Sequence, residues 1–183
     1  CSQVTSSMLQ QGALSGLKVV ELSDQVAGSF CARLMGDAGA DVVKVEPLDG
    51  DRYRRSGPFP GGYPDPEWSG MFLYLNSNKR GVSLDIEAQG GWAVFQDLVA
   101  AADFLVVGEN SSKIERLGLR RERLAETNQG LIVTSITPFG LTGPNSSYLG
   151  DDLIAISAGG MAYATPGIPD MVGDPDLEPP LRS

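Results

Sequence analysis

The sequence predicts an α/β fold: a mostly parallel sheet with helices on both faces. Two observations carry that expectation. Short runs rich in valine, leucine and isoleucine alternate with segments whose apolar residues recur at helical spacing. The first strand, helix and strand also follow one another within about 30 residues, the size of a right-handed βαβ unit with parallel strands.

Leu17-Lys18-Val19-Val20-Glu21-Leu22 reads as a strand, and Ser23-Asp24 as a polar break. Val26-Ala27-Gly28 opens a helix that ends at Gly36 to Gly39, and Asp41-Val42-Val43-Lys44-Val45-Glu46 is the second strand. Residues 47–70 carry five prolines, five glycines and the cluster Arg52, Arg54 and Arg55 among Tyr53, Phe59, Tyr63 and Trp68. Without periodicity, that segment reads as a long loop, and loops of this length inside compact domains tend to be functional. Order returns at Met71–Leu75. Gly81–Ile86 reads as a strand, Gly90–Ala102 as a helix, and Phe104–Val107 as the next strand. A short helix over Glu122–Thr127, a strand over Leu131–Ile136 and a helix from Asp152 to Gly159 follow. Residues 1–13 read as a disordered terminus or a cloning remnant. Residues 14–165 read as one α/β domain, and the proline-rich 166–183 reads as an exit segment towards a further C-terminal part.

Composition narrows the function. The 183 residues include 42% hydrophobic and 20% charged residues, which suits a packed domain and excludes disorder as the main state. No run approaches the roughly 20 apolar residues of a membrane span. A net charge of -9 argues against a general binder of nucleic acid or anionic membrane. Two cysteines, Cys1 and Cys31, make no disulfide framework, so a cytoplasmic location is expected. There is no histidine, which removes Ser-His-Asp and Cys-His catalysis, and no metal site is expected.

Several residues suggest sites by their own chemistry. In open α/β sheets ligands bind beyond the carboxyl ends of strands, which points first to Ser23–Ser29. There Ala27 and Gly28 would let a ligand approach the backbone, and the helix start offers N–H groups to an anion; a tight strand-to-helix turn accounts for the same residues. The G-x-G-x-x-G fingerprint is absent. Arg52, Arg54, Arg55, Lys79 and Arg80 form a basic set suited to pyrophosphate, or to a solvated loop face. Asp151-Asp152 stands before an apolar run, where a carboxylate caps a helix or two of them divide acid and base roles. Cys31 falls inside the first helix and reads as a small buried hydrophobe, not a nucleophile.

With these pieces in place the chain resembles the N-terminal part of family III CoA-transferases of the CaiB/BaiF type, a group that includes formyl-CoA and carnitine CoA-transferases and alpha-methylacyl-CoA racemase. The carrying segments are LSGLKVVELSDQVAGSFCARLMGDAGADVVKVEP (14–47), NSNKRGVSLDI (76–86), ADFLVVGE with IERLGL (102–119), and LIVTSITPFGLTGP with GDDLIAISAGGMAY (131–163). The resemblance implies a Rossmann-like CoA-binding domain over residues 14–165, acyl-CoA and carboxylic-acid substrates, no tightly bound cofactor, and an interlocked homodimer of the full-length chain. It implies CoA contacts at Val26, Ala27, Leu84, Asp85, Arg116, Leu149, Gly150 and Asp151. The transferase nucleophile, an aspartate, would lie beyond Ser183. Asp170 and Asp176 fall too early to match it. In the racemase pattern a G-H-D motif is matched by Gly150-Asp151-Asp152, making Asp152 the proton-transfer base, while its partner histidine has no counterpart near Glu122. A catalytically silent CoA-binding domain is the third reading. Pro47 and Glu87 stand where basic residues occur in the family, and Val107-Gly108-Glu109 where E-N-F occurs. These departures shift the expected contacts towards Arg52–Arg55 and Lys79-Arg80.

Overall fold

The computed structural model describes residues 12–161, in two units, 12–136 and 137–161. In the first unit, β1 (Lys18–Ser23), β2 (Asp41–Glu46), β3 (Lys79–Ser83), β4 (Phe104–Gly108) and β5 (Ile132–Ser135) form one sheet in the order β3-β2-β1-β4-β5. Every pairing is parallel. The chain moves outward from β1 to β3, then crosses back to β4 beside β1. Right-handed crossovers therefore place α1 (Val26–Asp37) and α2 (Gly70–Asn76) on one face and α3 (Gln89–Ala100) on the other. Burial on both faces is why β4 reads as a continuous apolar run and not as an alternation.

The α1 face packs Val19, Val42 and Val106 of the sheet against Ala32, with Cys31, Met35 and Ile136 at the margin. α1 turns Gly28, Ser29 and Ala32 inward, and these small side chains bring the helix close to the strands. A Cβ on Gly28 would lie 2.8 Å from the Ser23 Cβ and 3.1 Å from the Gly108 Cα. Gly28 is therefore committed to helix–sheet packing, where the sequence suggested room for a ligand.

Three elements depart from the expected boundaries. β3 begins at Lys79, two residues early, and ends at Ser83. Its ladder stops because the partner strand reaches Pro47, which has no N–H to donate; the last bond is Leu84 N–H to the Glu46 carbonyl, 2.9 Å. α4 (Ser111–Leu117) was not expected, although Asn110 caps its Lys113 N–H at 2.8 Å and Gly118 closes it at φ 67°. The helix expected over Glu122–Thr127 is α5, a single turn at Arg121–Leu124. The 47–70 loop contains two 3₁₀ turns, Arg52–Arg55 and Pro60–Gly62.

The second unit holds α6 (Asp152–Ala158), capped by the Asp151 carboxylate, which accepts from Ile154 N–H at 3.1 Å. The expected cap is thus Asp151, with Asp152 in the first turn. Phe139 and Tyr148 meet edge to face, their ring centroids 6.2 Å apart. The expectations for residues 1–11 and 162–183, including Asp170 and Asp176, lie outside the described residues.

Candidate functional site

The order β3-β2-β1-β4-β5 reverses direction at β1, and the loops leaving β1 and β4 diverge there to opposite faces. A cavity of about 210 Å³ opens at the carboxyl ends of the strands. Its walls are Leu22–Asp24 at the end of β1, Val45–Leu48 at the end of β2, Leu84–Glu87 after β3, and Glu109 with Lys113 after β4. Apolar side chains from three strand ends line a pocket whose polar groups converge from the loops, the usual build of a small-molecule site.

Five of those lining residues are carboxylates: Asp24, Glu46, Asp85, Glu87 and Glu109. Glu46 is buried and accepts two bonds from Arg54, at 2.7 and 3.0 Å, and one from Asp51 N–H at 3.0 Å. Burial would raise its pKa, but those bonds to Arg54 and Asp51 outweigh burial and hold the carboxyl below its ordinary value. Arg54 is itself clamped, 2.9 Å from Glu67 and 3.7 Å over the Phe72 ring. Glu109 goes the other way. Burial pushes it up, and Lys113 at 2.6 Å offsets this only in part while Asp24 adds to it. At the rim, Glu87 accepts two bonds from Arg116, at 2.6 and 3.0 Å, and hydrogen bonding to that guanidinium holds its pKa down.

Beneath the cavity lies a buried ionic network that sequence reasoning missed. Lys44 Nζ reaches Glu21 and Asp51, each at 2.8 Å, and the Ser23 carbonyl at 2.7 Å. Burial lowers the Lys44 pKa, yet Glu21 and Asp51 together carry it above its ordinary value. Lys79 Nζ meets Glu21 Oε2 at 2.6 Å, the Ser29 carbonyl at 2.7 Å and Asn76 Oδ1 at 2.9 Å. That tripod uses all three of its donors. For Lys79 burial wins, and its pKa is lowered despite Glu21. The network joins β1, β2, α1 and β3 to the base of the 47–70 loop through Asp51, whose Oδ1 caps the 3₁₀ turn at Tyr53 N–H, 2.7 Å.

The sequence-predicted residues divide accordingly. Leu84 and Asp85 line the cavity. Val26 and Ala27 form the first turn of α1, separated by Gln25 from the cavity residues Ser23 and Asp24. No side chain caps that helix and no acidic residue occupies its first turn, so its N–H groups remain available to an anion. Arg116 is at the rim, paired with Glu87. Leu149, Gly150, Asp151 and Asp152 belong to the second unit. The expected basic set does not assemble. Arg54 holds Glu46, Arg55 pairs with Asp49, Lys79 is buried on Glu21, and Arg80 grips Asp41 at 2.6 and 2.9 Å. Arg52 stacks on Tyr53. The other four cations serve the fold's own carboxylates.

Residues 14–179 match CoA-transferase family III, and the chain belongs to that family. It is 38% identical over 149 residues to a subunit of the succinyl-CoA:(R)-benzylsuccinate CoA-transferase of Thauera aromatica, an alignment covering 81% of this chain and 36% of that protein. It is 36% identical over 148 residues to the (R)-2-hydroxy-4-methylpentanoate CoA-transferase of Clostridioides difficile, covering 80% and 37%. A crystal structure of a CaiB/BaiF family protein from Brucella suis superposes with a TM-score of 0.79 at 34% identity, covering 95% of this chain and 44% of that one. The chain thus spans little more than a third of the length of these two transferases.

Proposed function

We propose that this chain is the CoA-binding portion of a CoA-transferase that moves CoA between carboxylic acids. The observation that carries the reading is the cavity at the switch point, where Leu84 and Asp85 line the wall and the uncapped start of α1 adjoins it. The nucleotide end of an acyl-CoA occupies the cavity, and the N–H groups at Val26 and Ala27 receive partial negative charge from the ligand. Arg116, held by Glu87, stands at the rim beside the nucleotide end.

The chemistry proceeds through an aspartate that this reading places beyond Ser183. Its carboxylate attacks the acyl-CoA carbonyl, the C–S bond breaks, and CoA leaves as the thiolate from a mixed anhydride. The thiolate returns to the aspartyl carbonyl and releases the first carboxylate, leaving an aspartyl-CoA thioester. The acceptor carboxylate attacks that thioester and expels the thiolate again. Attack of the thiolate on the new acyl carbonyl then restores aspartate and yields the new acyl-CoA. A homodimer of the full-length chain, in the cytoplasm and without a tightly bound cofactor, completes the reading.

Two other readings separate from this one experimentally. A 2-methylacyl-CoA racemase would use Asp152, but a chain with no histidine here supplies only one of the two bases. A silent CoA-binding domain would bind without turnover. Incubating the full-length protein with acyl-CoA and hydroxylamine tests all three. The transferase yields an aspartyl hydroxamate by mass spectrometry at a residue after Ser183. Deuterium exchange at the α-carbon without a hydroxamate selects the racemase, and CoA binding with neither product selects the silent domain.

A further inference from the structure

The charges around the cavity carry a conclusion about ligand selectivity. Of the carboxylates that line it, Glu46 and Glu109 are bonded to Arg54 and Lys113, and Glu87 takes both arms of Arg116. Every cation at the cavity is therefore already on a carboxylate. Asp24 and Asp85 have no cation within ion-pair distance among the described residues, so the pocket as a whole is acidic. Such a wall accepts hydrogen bonds from hydroxyl and amino groups and repels added phosphate.

The Glu87–Arg116 pair is where this repulsion becomes specific. It bridges the segment after β3 to α4, with Glu87 lining the cavity and Arg116 above it. The bidentate geometry that a guanidinium offers a phosphate is the one Glu87 occupies. Two of the five N–H donors of Arg116 are on Glu87, so a phosphate reaching this half-exposed guanidinium competes with that carboxylate and meets the charge of Asp85 beside it.

Resting on the proposed CoA-binding reading, we infer that Glu87 is a specificity-determining residue: by occupying Arg116 it denies the site a purchase on the 3′-phosphate of CoA. The nucleoside is then recognised through its hydroxyl and amino donors. The full-length protein accordingly handles CoA thioesters with and without that phosphate about equally.

The test is calorimetry on the full-length protein with two probes, CoA and 3′-dephospho-CoA, for the wild type, Glu87→Gln, and the double variant Glu87→Gln/Arg116→Gln. Expected are wild-type affinities within about threefold of each other, and a gain of about tenfold for CoA alone in Glu87→Gln. That gain disappears in the double variant, because it depends on the freed guanidinium. A tenfold wild-type preference for CoA, or a Glu87→Gln variant that gains nothing for CoA, overturns the inference while leaving CoA binding intact. Failure of both probes to bind at millimolar concentration overturns the CoA-binding reading and this inference with it.

Discussion

Glu21 of β1 and Lys44 of β2 are register partners in the parallel ladder, and their side chains form a fully buried ion pair at 2.8 Å. Glu21 also holds Lys79 and Lys44 also holds Asp51, so neither charge can be removed without orphaning another. Breaking a buried pair from one side costs about 3–5 kcal/mol, because the remaining charge keeps its desolvation penalty. Lys44→Met should therefore lower stability by about that amount in urea unfolding, with the m-value unchanged. A loss under 1 kcal/mol would show that water already reaches the network.

Gly28 and Gly108 meet where α1 leaves the sheet, and the space a Cβ needs at residue 28 is filled by Ser23 and by backbone. Gly28→Ala is expected to destabilise by about 1–3 kcal/mol, since the obstruction is not a flexible side-chain end. Ala27→Gly next to it is exposed in the first turn and should change stability by under about 1 kcal/mol. Thermal melts of the two variants give the comparison; equal losses would mean that α1 stands further from the sheet than described here.

Cys31 packs at the margin of the core, and burial followed by the nearby Glu21 charge pushes its thiol up, with Lys79 opposing. Alkylation by iodoacetamide at neutral pH, followed by peptide mapping to separate it from Cys1, should be at least about tenfold slower at Cys31 than at an unstructured cysteine. Rapid modification at Cys31 would contradict both its packing and its reading as a core residue.

The parts of the fold legible in the sequence were those governed by local pattern. The valine runs of β1 and β2 and the small-residue helix between them fall within a residue or two of their expected places, because periodicity and glycine stops are local signals. β3 was displaced because its end depends on Pro47, more than thirty residues earlier, which terminates the partner's ladder. α4 had its signals, Asn110 before it and Gly118 after it, and these could have been used. The cavity position followed from strand ends, but its charge did not. Arg54, Arg55, Lys79 and Arg80 look like an anion site in one dimension. Only the fold shows each of them paired with a carboxylate, for Arg54, Lys79 and Arg80 one on β1 or β2. The Glu21–Lys44 pair left a trace, since each is the charge that follows two valines in its strand, and parallel register brings such positions opposite one another.

Glu46 links that ionic scaffold to pH. Its folded pKa lies below the ordinary value of 4.5, because Arg54 and the Asp51 N–H favour the charged form. The unfolded chain therefore binds this proton more readily than the folded one. Its stabilising contribution is complete above the ordinary value and drains away as pH falls through the depressed folded value. Glu109 has the opposite sign: its folded pKa is raised, so it costs stability once pH is above that raised value and costs nothing well below 4.5. Unfolding free energies measured between pH 3 and pH 7 should thus fall more steeply on the acid side for Glu109→Gln than for Glu46→Gln. Glu46→Gln should lose stability mainly at neutral pH, where the wild-type carboxylate is bonded to Arg54. If both variants keep the wild-type slope, other carboxylates dominate the acid limb, and the Glu46–Arg54 clamp does not set the stability of the cavity wall.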